Sequence, residues 1–177
     1  MALGFPLQAV QEPLVPCHQV FVNFRGAELR HNFISFLEPA LKTVGINVFV
    51  DNNEKRGEDL TSLFRRIEES KIALVVFSRR YMESIWCLNE LVKIKERADE
   101  KKLLVIPIFF KVKPTELIGL LDEACKSHGI LHEAHILNKW KVALECIKSK
   151  TGFPLKDKRY WFSSMPLNLI TCYSLKV

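Results

Sequence analysis

Apolar positions along the chain switch between two spacings. Runs at 20–24, 46–50, 72–77 and 103–110 are rich in Val, Ile, Leu and Phe, and the last two are nearly continuous apolar stretches. Such runs predict strands buried on both faces of a parallel sheet. Between them the spacing lengthens to the helical period. Phe33, Leu37, Ala40, Leu41 and Val44 form one stripe. Leu60, Leu63, Phe64 and Ile67 fit i, i+3, i+4, i+7, with Asp59 and Thr61 near the start as capping candidates. A helix over 86–97 carries Leu88, Leu91 and Val92, and a later one places Trp140, Ala143, Leu144 and Ile147 on one face. Strands alternating with helices define an α/β chain, with a central parallel sheet and helices on both faces. Residues 1–17 hold Pro6, Pro13 and Pro16 without a steady period and read as a loose leader.

In a doubly wound sheet of this kind, function lies at the carboxyl ends of the strands. Those ends fall at 24–26, 50–57, 78–86 and 111–115, which are polar segments, two of them carrying glycine.

Composition narrows the class. The 177 residues are 48% hydrophobic and 26% charged, enough for one domain with a packed core. The net charge of +6 is mild and spread along the chain, so it gives little support to nucleic-acid binding and suits phosphate-bearing small molecules equally well. The five cysteines form no CxxC and no Cys/His metal spacing, which predicts reduced thiols in the cytosol or nucleus and no metal centre. His128, His132 and His135 lack a strong fourth ligand. The start of the chain is not patterned as a signal peptide, and the apolar run at 103–110 is too short to span a bilayer, so a soluble protein is expected.

Five blocks in order carry a resemblance. Val20-Phe21-Val22-Asn23-Phe24-Arg25-Gly26 leads to Arg30 and Phe33. Gly45-Ile46 leads through Phe49 and Asp51 to Arg56-Gly57. Ile67-Glu68-Glu69-Ser70-Lys71 precedes an apolar strand and Ser78. Tyr81 and Ser84 precede Trp86-Cys87-Leu88-Asn89-Glu90-Leu91, the most specific block. Pro107-Ile108-Phe109-Phe110 precedes Val112 and Pro114. Over about residues 18–157 the chain resembles Toll/interleukin-1 receptor (TIR) domains of plant disease-resistance proteins. The resemblance implies a flavodoxin-like fold of about five parallel strands. With no P-loop and no leucine-rich repeats in the sequence, a TIR-only protein or the truncated product of a larger locus is expected.

The resemblance also implies an activity. Enzymatic relatives cleave the nicotinamide–ribose bond of NAD+. The leaving group is already a pyridinium and departs neutral, so no general acid is needed. Positive charge develops on the ribose, and one carboxylate stabilises it. Water then completes hydrolysis, or an adenine nitrogen closes a cyclic ADP-ribose product. Glu90 matches the family's catalytic glutamate. Trp86, one helical turn earlier, is suited to stacking on a base. Phe24, Arg25 and Gly26 at a strand end, Arg56 and Gly57 in a loop suited to closing over the ligand, and Ser84 complete the implied substrate site. NAD+ is substrate, with no cofactor. Other TIR domains and immune receptors are the implied partners, in the cytoplasm or nucleus.

Plainer roles stand beside these. Glu90 and Lys93 have the spacing of an exposed helical ion pair. Trp86 is equally a core anchor, and Arg25 a structural ion pair. Cys87 reads as a small buried residue, since no histidine near it in sequence would activate it. A non-enzymatic adaptor or decoy acting through TIR–TIR association is the competing function. A phospho-receiver on the same fold is weaker, because Asp51 lacks a recognisable acidic cluster and lysine.

The departures bear on assembly. Gln19 stands where the family has an acidic residue, and Glu28 where it has an aspartate. Ser35-Phe36 replaces a Ser-His pair, and Val112-Lys113-Pro114-Thr115 with Ile118 replaces a Val-Asp-Pro-Ser segment followed by arginine. The last two fall on surfaces through which relatives pair. A short final strand is expected near 151–155. The divergent apolar tail, 158–177, carries Pro166 and no acidic residue, so the closing helix is expected to be missing or short, leaving a sheet face or a neighbouring helix partly uncovered.

Overall fold

The computed structural model describes residues 20–50, 60–127 and 133–156. Five strands, β1 (Val20–Phe24), β2 (Val48–Val50), β3 (Ile72–Phe77), β4 (Leu104–Phe110) and β5 (Phe153–Leu155), form one sheet in the order β2-β1-β3-β4-β5. Every pairing is parallel. This is the flavodoxin-like order expected from the sequence.

The sheet sorts its side chains by the two-residue period. Val20, Val22, Phe24, Ile72, Leu74, Val76, Ile106, Ile108 and Phe110 face one core. Its helical wall is α1 (Gly26–Leu29), a wider π-type turn (Arg30–Ile34) and α2 (Ser35–Thr43). Phe21, Ala73, Val75, Phe77, Val105 and Phe109 face the other core. There they meet α4 (Ile85–Asp99), α5 (Leu117–Ser127) and α6 (Ala134–Lys148), with Ile67 of α3 (Leu60–Glu69). Burying each of the Val, Leu, Ile and Phe side chains contributes about 1.5–3 kcal/mol.

Several boundaries differ from the sequence pattern for identifiable reasons. The run at 46–50 enters the sheet only at Val48. Its first residues close the preceding helix instead: Gly45 adopts φ 79°, and the Ile46 N–H reaches back 3.0 Å to the Leu41 carbonyl. Val44, expected on the apolar stripe, is the residue that caps α2 and is 44% exposed. Lys101 makes the same left-handed turn (φ 58°) after α4, with the Lys102 N–H on the Arg97 carbonyl at 3.1 Å. Helix α5 was not anticipated, although Leu117, Leu121 and Ala124 form a short buried stripe.

On the sheet face carrying Leu104, Ile106, Ile108 and Phe110, exposure is confined to the start of β4, where Leu104 is 36% exposed. Ile106, Ile108 and Phe110 are 5, 1 and 5% exposed, and the Phe33 ring from the π-type turn lies 5.6 Å from that of Phe110. The leader, the Asp59 cap and the tail, where the closing helix is expected to be missing or short, fall outside the described residues.

Candidate functional site

The carboxyl ends of β1 and β3 and the start of α4 converge. At the end of β1, Phe24 is buried with its ring under the Arg30 guanidinium, 5.7 Å from the centroid. Arg25 is extended (φ −82°, ψ 110°), and Gly26 opens α1 directly. The Arg25 guanidinium pairs with Glu83 at 3.2 Å, and Arg80 holds the same carboxylate at 2.9 Å. The ion-pair role weighed for Arg25 is therefore the one it fills here. Glu28, in the first turn of α1, accepts from the Ser78 hydroxyl and the Arg80 N–H, tying the β1 end to the β3 end.

Helix α4 begins at a cap that the sequence encodes. Ser84 is extended, and its hydroxyl accepts from the Cys87 N–H at 3.3 Å. Ile85 and Trp86 in the first turn are 39 and 37% exposed, so Trp86 is not a core anchor. Cys87 is buried, and its thiol donates to the Phe24 carbonyl at 3.3 Å, a packing role.

One turn further on, Glu90 is only 4% exposed. The side-chain amide of Asn23 donates to Glu90 Oε2 at 2.6 Å and lies 3.4 Å from the Cys87 carbonyl. The Tyr81 hydroxyl donates to Asn23 Oδ1 and lies 3.2 Å from the same Cys87 carbonyl. Burial pushes the Tyr81 phenol well above its ordinary range, with charge on Cys87 and Glu90 adding and the Asn23 hydrogen bond opposing. The surface pair that the spacing of Glu90 and Lys93 would allow does not form. Lys93 instead bonds Glu68 across to α3 at 2.7 Å.

The structure thus gathers Phe24, Arg25, Gly26, Ser84, Trp86 and Glu90 at one end of the sheet. Arg56 and Gly57 lie outside the described residues, as do His128 and His132, while His135 contacts Glu133 at 3.1 Å. Sequence reasoning passed over Asn23, Tyr81 as a polar group, and Glu28 as a bridge. The available signal was a lone amide in an otherwise apolar strand.

The order β2-β1-β3-β4-β5, all parallel, defines a flavodoxin-like α/β protein, and the buried Glu90 carboxylate lies by the carboxyl ends of β1 and β3, where the strand order reverses. A family model for the TIR domain matches residues 17–161, and the chain belongs to that family. It is 49% identical over 148 residues to disease resistance protein RBA1 of Arabidopsis thaliana, covering 82% of this chain and 41% of that protein. It is 48% identical over 146 residues to the Arabidopsis disease resistance-like protein CSA1, covering 81% of this chain and 12% of that one. The chain therefore spans well under half the length of these relatives. Among solved structures, it resembles the TIR domains of the activated Roq1 resistosome that directly recognizes the pathogen effector XopQ. The TM-score is 0.71 at 31% identity, over 90% of this chain and 98% of that one. Among the described residues, no helix is long and apolar enough to cross a membrane.

Proposed function

We propose that this TIR domain hydrolyses NAD+ at the nicotinamide–ribose bond and signals in plant immunity. The observation that carries the reading is Glu90: a carboxylate only 4% exposed, bonded to a buried amide and one helical turn from the exposed Trp86. A carboxylate in a site of low dielectric stabilises a developing ribosyl cation far more than one in water. Trp86 offers a stacking surface for nicotinamide or adenine. The Phe24-Arg25-Gly26 strand end and Ser84 border the same region, and a pyrophosphate at Arg25 would displace the carboxylate of Glu83. Arg56 and Gly57, which follow β2 in the sequence, are assigned to the same substrate site by their match to the family's motif. The reaction needs no cofactor, since nicotinamide leaves neutral; water or an adenine nitrogen takes the cation.

Because Glu90 is so covered, substrate requires a population in which it is reachable. Association with other TIR domains, in the cytoplasm or nucleus and in the company of immune receptors, would supply that shift. Concentrated pure protein incubated with NAD+ should release nicotinamide, and Glu90→Ala at matched concentration should not. Equal release by both would remove Glu90 from the mechanism.

A second reading, an adaptor acting through TIR–TIR association alone, is favoured by Phe36, which stands 49% exposed on α2. The enzymatic reading expects a mostly monomeric, slow protein at low micromolar concentration. A stable dimer or tetramer by light scattering, with no nicotinamide released, would select the adaptor.

A further inference from the structure

We propose that Asn23 is a positioning residue for Glu90: its side-chain amide, oriented by Tyr81, fixes the direction and the ionised state of the carboxylate. The role rests on Glu90 being the reacting group. Asn23 is 0% exposed on β1, level with Val75 of the adjoining β3. The two-residue period turns it, with Phe21, toward α4. It interrupts a strand whose other four residues are apolar and buried, so its polarity is costly unless it is used.

The hydrogen-bond inventory orients the amide. Tyr81 donates to Oδ1, which leaves the Nδ2 donor toward Glu90 at 2.6 Å. A flipped amide would set an acceptor against the carboxylate. Burial keeps the phenol protonated, so it remains a donor through the neutral range. The partner's neutrality matters as well. A lysine or arginine here would cancel the negative charge that must answer a ribosyl cation, whereas an amide holds the carboxylate ionised without cancelling it. Among the described residues, the titratable groups shown facing the pair are Tyr81, from the turn before α4, and Cys87, from α4 itself.

The test follows the Glu90 side-chain carboxyl by carbon NMR on the full chain without substrate, assigned with Glu90→Gln, alongside NAD+ kinetics. Asn23→Asp is isosteric but replaces a donor with an acceptor. In it, and in Asn23→Ala, the carboxyl midpoint should rise by about one pH unit or more. kcat for nicotinamide release should fall about 10- to 100-fold with KM within about threefold. Tyr81→Phe should shift both in the same direction by less. A folded Asn23→Asp with an unchanged carboxyl midpoint overturns the contact's role. A shifted midpoint with unchanged kcat overturns positioning for catalysis. Undiminished cleavage by Glu90→Ala overturns the catalytic reading itself, and positioning with it.

Discussion

The two ends of the sheet handle charge in opposite ways. At the carboxyl end, Asn23, Ser78 and Glu90 are 0, 0 and 4% exposed, and each is bonded to a group from another element. At the amino end, charges pair in water: Arg66 with Glu69 at 3.2 Å, and Lys102 with Glu100 at 3.0 Å. The buried polar residue described there, Ser70, bonds back to the Arg66 carbonyl of its own helix at 2.7 Å. A cleft of about 760 Å³ at that end is lined by Leu103, Leu104, Thr151 and Phe153, with Lys101 and Lys150, and contains no buried carboxylate. Burying a carboxylate costs several kcal/mol unless its partners are well placed. Among the described residues, the carboxyl end of the sheet bears that cost and the amino end avoids it.

The widest gap between the ends should appear in activity. Glu90→Gln keeps the volume and an acceptor for Asn23, and it should lower NAD+ cleavage by at least about 10²-fold with a near-native circular dichroism spectrum. Glu69→Gln, at the other end, should leave turnover within about twofold, as expected for an exposed pair. Similar losses from the two would erase the distinction.

Stability should instead be most sensitive where the chain enters β5 beside Pro107, a position specified by backbone fit. A Cβ added at Gly152 would lie 2.5 Å from the Pro107 carbonyl oxygen and 2.7 Å from the Phe109 ring. Backbone cannot yield as a long side chain does, so Gly152→Ala should destabilise by about 2–3 kcal/mol, read from urea unfolding. A change below about 0.5 kcal/mol would show that β5 is free to shift outward.

How much of this the sequence carried differs in the same way. The strands 20–24 and 72–77 were legible to the residue because apolar runs end where polar loops begin. Of the residues gathered at the carboxyl end, Ser84, Trp86 and Glu90 were legible because their spacing is local. Less legible was what depends on pairs distant in the chain: Asn23 with Glu90, Glu28 with Ser78, Lys93 with Glu68. Nothing in the sequence around Lys93 points to α3 rather than to Glu90. Helix ends show the same limit. Gly45 announces its left-handed turn, whereas Lys101 makes one without any compositional sign. Helix α5 went unassigned because its buried stripe is three residues deep.

The cap of α4 gives an intermediate effect. Ser84→Ala removes the acceptor for the Cys87 N–H and should cost about 1 kcal/mol. Since the capped turn presents Trp86 and leads to Glu90, KM for NAD+ should rise as well. Ser84→Asp, which preserves an acceptor, should restore the unfolding midpoint. If Ser84→Asp restores stability but not KM, the hydroxyl touches substrate as well as capping the helix.

The smallest effect belongs to Glu68, which pairs with Lys93 between α3 and α4. The Lys93 hydrogen bond, and then its charge, holds the Glu68 carboxyl below the ordinary carboxylate range. A carboxylate with a lowered folded value contributes stability that is fully present above its unfolded value. That contribution is lost as pH falls through the lowered folded value. Glu68 is 48% exposed and open to screening, so the contribution should stay below about 1 kcal/mol and shrink with added salt. Urea midpoints of wild type and Glu68→Gln should differ slightly at neutral pH and converge only as pH falls below the lowered Glu68 value, where both side chains are neutral. A loss above about 2 kcal/mol at neutral pH, insensitive to salt, would mean that this pair is shielded as the Glu90 network is. Charge burial would then extend down the helices rather than marking one end of the sheet.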